Sequence, residues 1–202
     1  MKMNLPNRLT VIRLALVPLI LIVLLLPASW ITNVLGAAIF LAAALTDLLD
    51  GKIARKRGIV TDFGKFLDPL ADKFMVIAAM MAIIYRSADN ALIFNVFMPA
   101  LIITVFRELA VSSIRLVASS NAGVVVPANI LGKIKTVSQI VCIMAVLLEP
   151  VLDALLRSVW SGFAIFSYYP ITLISAVIMI VFTVLSGIVY LKTYWKYIDA
   201  EK

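Results

Sequence analysis

The sequence predicts an all-α, polytopic membrane protein with six transmembrane helices, a short interfacial segment ahead of the first, and both termini in the cytoplasm. Composition carries the class: of 202 residues, 63% are hydrophobic and 14% charged, with mean hydropathy +1.09. Soluble domains average about 45–50% apolar and about 25% charged residues, so a compact soluble enzyme is excluded. Apolar stretches also recur at about the 20-residue length that a bilayer requires of a helix. Finally, the basic residues fall almost entirely on one side of those stretches, as cytoplasmic loops require.

Taken in order, residues 1–8 carry Lys2 and Arg8 and lie along the membrane surface. From Leu14 to Thr46 no residue is charged, a run of 33, which suits two spans and a tight turn. Pro27, Ser29, Trp30 and Asn33 supply the turn, giving spans over Thr10–Leu26 and Ile31–Leu49. A basic connector holds Lys52, Arg55, Lys56, Arg57 and Lys65. Later spans are expected over Leu67–Tyr85, Leu92–Ala118, Ile130–Leu148 and Ile171–Leu191. Tyr168, Tyr169, Tyr194 and Trp195 fit aromatic belts around the last of them. The first apolar run does not read as a cleavable signal, because the next apolar segment follows at once and no soluble domain comes after it. No repeat, linker or low-complexity tract divides the chain, so residues 1–202 form a single domain.

With the N-terminus inside, sixteen of the 18 Lys and Arg residues fall inside or near the inner boundary, against Arg86 and Arg157 outside. This places a multi-pass protein in the cell membrane with its polar face on the cytoplasmic side, and the missing presequence and compact loops fit a bacterial plasma membrane better than a mitochondrial one. The net charge of +7 needs no nucleic acid to explain it. One Cys, Cys142 among apolar neighbours, excludes an internal disulfide framework, and the absence of His excludes His-ligated zinc and His bases. Any chemistry must run on carboxylates, Arg and Lys.

The informative groups are the ionisable ones at or within spans, which are costly unless they face a cavity, a partner or an ion. Asp47, Asp50, Gly51, Ala54 and Arg55 are spaced i, i+3, i+4, i+7 and i+8, one face of a helix. Gly64, Asp68 and Asp72 follow at i+4 steps on the next, where Pro69 is expected in the first turn. Any single Asp here, taken alone, is better explained by capping a helix end or by pairing with the basic connector than by catalysis. Four carboxylates brought together repel strongly unless cations neutralise them, and an all-oxygen set suits a hard cation. Two such ions form the clamp that stabilises the attacking and leaving oxygens of phosphoryl transfer. A transporter would spread its acids across the bilayer depth, and a non-catalytic scaffold would need no such set.

The pattern Asp47-x-x-Asp50-Gly51-x-x-Ala54-Arg55, eight residues, then Gly64-x-x-x-Asp68-x-x-x-Asp72, resembles the complete signature of the CDP-alcohol phosphotransferases. The resemblance implies a six-helix membrane fold, usually dimeric. It implies transfer of a substituted phosphoryl group from a CDP-linked donor, here CDP-diacylglycerol, to an alcohol, with release of CMP. It also implies two Mg²⁺ or Mn²⁺ ions held by Asp47, Asp50, Asp68 and Asp72, with Asp72 as general base. The CDP group would lie against Asp47, Asp50, Gly51, Ala54, Arg55, Gly64 and Asp68.

The acceptor is read from other charges. Glu108, Ser112 and Arg115 share a helix face near Arg107, and Lys135 and Gln139 share another, with Lys133 beside Asn129 and Thr136. Several cations around one cavity suit an anionic alcohol bearing a phosphate, with Arg115 and Lys135 first, then Arg107 and Lys133, as its anchors. Arg107 could instead pair with Glu108, and Lys133 could simply meet lipid headgroups. These residues, with Pro6-Asn7-x-Leu9-Thr10-x-x-Arg13, resemble the branch of the family that uses glycerol 3-phosphate. Inositol phosphate and serine are the alternative acceptors, and an ion-coupled transporter is the alternative outside the family.

Overall fold

The computed structural model describes residues 5–57, 62–122, 129–160 and 165–195. Six α-helices account for almost all of them: α1 (Leu5–Leu25), α2 (Trp30–Arg57), α3 (Asp62–Arg86), α4 (Ala91–Ala122), α5 (Ile130–Val159) and α6 (Pro170–Tyr194). A 3-10 turn, Ile165–Tyr168, precedes α6, and the described residues contain no strand. The helices pack as a bundle in which α1 lies against α2 and α3, α5 against α2 and α6, and α4 against α3 and α6.

Length and composition suit four of the helices to crossing a membrane: Asn7–Leu25, Ala91–Ala118, Ile130–Val159 and Phe166–Tyr194. The apolar part of α2 among the described residues, Trp30–Thr46, counts 17 residues, and α3 opens on a polar first half. The surface fits lipid as solvent. Ile22, Ile102, Phe106, Leu109, Leu116 and Ile174 are each more than 60% exposed, while Arg13, Gln139 and Glu149 are among the largest fully buried side chains. In water that distribution would be costly on both counts; in a bilayer, polar groups belong inside the bundle. The apolar core is built from Ile20, Leu24, Phe40, Met75, Met80, Phe97, Ile143 and Met179. Gly36 brings α2 close to α1, since a β-carbon there would stand 2.5 Å from Leu24 Cδ2.

Helix ends follow from local chemistry. The break expected at 27–33 is a capping box: Thr32 N–H donates to Ser29 Oγ at 3.2 Å and Ser29 N–H to Thr32 Oγ1 at 3.0 Å. Arg86, at the end of α3, donates to the same Thr32 hydroxyl at 2.8 Å, tying two helix ends together. Asn90 caps α4 by accepting from Ile93 N–H at 3.3 Å.

Three expectations are adjusted. Leu5–Arg8 form the first turn of α1 and not a separate interfacial segment, while residues 1–4 lie outside the described residues. α3 starts at Asp62, so Pro69 sits inside the helix and not in its first turn. There it removes the amide that would bond the residue-65 carbonyl, between the turns that carry Asp68 and Asp72. α5 runs on to Val159, well beyond Leu148, and Glu149, just past the expected end, has a use inside the bundle.

That use is a cap. Glu149 is 1% exposed and accepts from Ile171 N–H at 2.9 Å, Thr172 N–H at 2.8 Å and Thr172 Oγ1 at 2.6 Å. A carboxylate from α5 thus satisfies the first amides of α6, whose positive dipole end also favours it. Glu149→Ala would strand those donors in a buried site, at a cost of about 1–3 kcal/mol. The expected result is a lower thermal midpoint in detergent and faster amide exchange over 171–174, with Glu149→Gln intermediate. An Ala variant as stable as the parent would show that the cap contributes nothing.

Candidate active site

One end of the bundle collects the polar chemistry. The closing turns of α2, α4 and α6 meet the opening turns of α1, α3 and α5 there, so all six helices contribute. α2 is unbroken from Trp30 to Arg57, so Asp47, Asp50, Gly51, Ala54 and Arg55 follow one another on consecutive turns of one face. Their side chains lie outside the described residues. On α3, Gly64 is buried and Asp68 and Asp72 are half-buried, one turn apart. Thr10, 1% exposed on α1, donates its hydroxyl to Asp68 Oδ1 at 2.5 Å. A carboxylate held by one oxygen keeps the other for a cation, and oxygen donors without His or Cys suit Mg²⁺ or Mn²⁺. Asp68 and Asp72 fit that use.

The second half of the site is an ion cluster between α4, α5 and α6. Glu108 Oε1 accepts from Lys135 Nζ at 2.6 Å and from Arg107 Nη1 at 2.9 Å, and all three side chains are at most 10% exposed. Arg107 also donates from Nε to Ser186 Oγ at 3.2 Å. Gly187 leaves room for its stem, since a β-carbon there would stand 3.1 Å from Arg107 Cγ. Two cations share one carboxylate, so the cluster keeps one net positive charge. Lys73, beside Asp72 on α3, reaches Ser112 Oγ, which in turn donates to the Glu108 carbonyl at 2.6 Å.

Arg115 is held differently. It donates to the Tyr190 hydroxyl at 2.9 Å and its guanidinium lies 5.0 Å from the Tyr190 ring centre, with Arg107 at 5.7 Å from the same ring. The Tyr190 hydroxyl also accepts from Asn129 N–H at 2.8 Å, so one phenol links α4, α6 and the start of α5. A ring flanked by two guanidiniums fixes both without neutralising either. Sequence reading passes Tyr190 over as one aromatic in an apolar helix. Its signal is that Thr183, Ser186, Gly187 and Tyr190 recur at helical spacing, a buried polar and small stripe on α6.

Of the four expected acceptor anchors, Lys135 and Arg107 therefore stand in one buried cluster and Arg115 joins it through Tyr190. Lys133 is exposed on another face of α5. Asp72 and Lys73 from α3, Thr104 and Glu108 from α4, and Lys135 and Gln139 from α5 line one cavity of about 10 Å³. The carboxylate expected to act as base and a cation expected to anchor the acceptor thus border the same space.

Glu108→Gln leaves two buried cations facing each other, and breaking a buried pair typically costs about 3–5 kcal/mol. We expect the thermal midpoint in detergent to fall by at least about 5 °C, with Lys133→Met, on the exposed face, within about 1 °C of the parent. Equal midpoints for the two variants would show that the carboxylate does not hold the cluster.

A family model described as CDP-alcohol phosphatidyltransferase matches residues 3–188. A CDP-diacylglycerol–glycerol-3-phosphate 3-phosphatidyltransferase of Bacillus subtilis (strain 168) is 37% identical over 204 residues, covering 96% of each chain. A protein of the same description from Wigglesworthia glossinidia brevipalpis is 38% identical over 148 residues, 73% of this chain and 78% of its own. A cardiolipin synthase (CMP-forming) of Oryza sativa subsp. japonica is 38% identical over 183 residues, covering 82% of this chain and 55% of that protein. With a match that runs from the first turns of α1 into the last of α6, the chain belongs to the CDP-alcohol phosphatidyltransferase family.

Proposed function

We propose that the protein transfers the phosphatidyl group of CDP-diacylglycerol to glycerol 3-phosphate, giving phosphatidylglycerophosphate and CMP. The observation that carries this reading is the shared lining: Asp72 and Lys135 border one space of about 10 Å³, so a base and a cation face the same point, where part of a phosphorylated alcohol can meet both. The relatives' descriptions point to the same donor and acceptor.

In the reaction, Asp72 takes the proton of the acceptor's C1 hydroxyl, and that oxygen attacks the β-phosphorus of CDP-diacylglycerol in line. The bond from that phosphorus to the bridging oxygen breaks, and CMP carries the electron pair away. Asp47, Asp50, Asp68 and Asp72 would hold two Mg²⁺ or Mn²⁺ ions, which when bound neutralise the charge of the pyrophosphate. Thr10 fixes one oxygen of Asp68, so that carboxylate is oriented before any ion arrives. Arg55 adds charge beside the pyrophosphate, and Gly51, Ala54 and Gly64 let the cytidine approach α2 and α3. Lys135 and Arg115 receive the acceptor phosphate, with Arg107 holding Glu108 and Lys133 meeting headgroups at the surface. The positive-inside balance supports six spans with both termini and the site on the cytoplasmic face; the bacterial relatives support a bacterial membrane, and the family resemblance supports a homodimer.

A second reading has one specific observation behind it: the rice relative's description, which makes a lipid alcohol the acceptor. The test is CMP release by purified protein given CDP-diacylglycerol, Mg²⁺ or Mn²⁺, and in separate reactions glycerol 3-phosphate, phosphatidylglycerol, inositol phosphate or serine. Release with glycerol 3-phosphate alone is expected, with EDTA abolishing it. Asp72→Asn should cut the rate by at least about 10³-fold, the larger share of what a positioned base contributes. Release with another acceptor alone would discard this assignment of Lys135 and Arg115, and near-parental turnover by Asp72→Asn would remove it as the base.

A further inference from the structure

The cavity beside Asp72 is lined both by members of the ion cluster and by uncharged polar side chains. Glu108 and Lys135 stand at its rim; Thr104 lies four residues before the first and Gln139 four residues after the second, so both are one helical turn deeper. Each is 1% exposed. Gln139 Nε2 is buried and has no hydrogen-bond partner among the described residues. A leucine or methionine would fill that position without stranding a donor, so folding gives no reason to keep a carboxamide there. The space beside it, about 10 Å³, is close to the lower limit of about 10–15 Å³ that one water or one hydroxyl occupies.

The group that fits must be small, must offer a lone pair to an N–H, and must arrive uncharged, because the four charged side chains that line the same space, Asp72, Lys73, Glu108 and Lys135, already sum to zero. A hydroxyl meets all three conditions, and the Thr104 side chain can take the proton that the hydroxyl donates in turn. Glycerol 3-phosphate has three polar groups: the C1 hydroxyl at the base, the phosphate at the rim cations, and the C2 hydroxyl between them. Resting on the acceptor proposed above, we infer that Gln139 is a specificity residue whose carboxamide N–H binds the C2 hydroxyl of the acceptor. Atoms on α3, α4 and α5 then read three points of one small molecule.

The probe is 3-hydroxypropyl phosphate, which keeps the primary hydroxyl and the phosphate and lacks the C2 hydroxyl. A site built to bond a hydroxyl rejects the analogue without it strongly, because its own donor is then left unpaired. In CMP-release assays the parent protein should prefer glycerol 3-phosphate by at least about tenfold in kcat/KM. Gln139→Met, similar in size but without a donor, should lose at least about tenfold with glycerol 3-phosphate and stay within about twofold with the analogue.

The parent comparison needs no mutation: equal use of the two acceptors overturns the inference. So does a Gln139→Met variant that loses both activities in parallel, which marks a packing role, or that loses neither, which marks a cavity holding water alone. If the parent releases CMP with neither compound but does so with another alcohol, the acceptor assignment itself falls and this inference with it.

Discussion

A single carboxylate, Glu108, holds the polar end of this bundle together. Three helices deliver Arg107, Lys135 and Ser186 to one buried region, and without an anion the two cations would push α4 and α5 apart. In a low-dielectric surrounding that repulsion is large, and so is the attraction to a shared anion. The arrangement leaves one positive charge in excess. A fully neutral cluster would have no pull on a phosphate, and two unopposed cations would not stay buried. On the proposed function, the fold and the acceptor chemistry thus depend on the same oxygen atom.

The rest of the site uses the same economy of shared groups. Tyr190 takes hydrogen bonds from α4 and from the start of α5 with one hydroxyl while its ring lies near two guanidiniums. Thr10 sets Asp68 from a third helix. Each tie crosses between helices that are distant in sequence, so the acids of α3 and the cations of α4 and α5 are placed by packing and not by loops. Rigid elements hold reacting groups to tighter tolerances than loops do, which is what an in-line displacement requires.

How far this could be read from the sequence varies with the kind of signal. The helices were legible because apolar runs of bilayer length leave few alternatives, and the aspartate pattern because helical spacing puts its members on one face. Glu108 and Lys135 were visible as charges where a membrane helix should have none. Their pairing was not, since α4 and α5 are brought within side-chain reach by the helices packed against each of them, α6 above all. Tyr190 was hidden for a different reason: a phenol in a membrane helix has an ordinary apolar use, and only the neighbour across the interface reveals another, while Thr10 was legible as part of a motif but not as the partner of Asp68. Pro69 misled on the start of α3, because a proline looks like a first turn when the helix is already two turns old. Glu149 looked like the end of a span and proved to be the cap of the next.

Glu149 and Lys135 lie on the same helix, 14 residues and therefore about 21 Å apart. One is locked to the first turn of α6 and the other to α4, so α5 is pinned at two depths. A slide of one turn, about 5.4 Å, would break both attachments at once. The helix consequently behaves as a calibrated rod: its axial position, fixed at the far end by a cap remote from any substrate, sets the distance from Lys135 to Asp72. On the proposed function, the length of alcohol that can reach Asp72 with its phosphate at Lys135 is then gauged from the far end of the bundle.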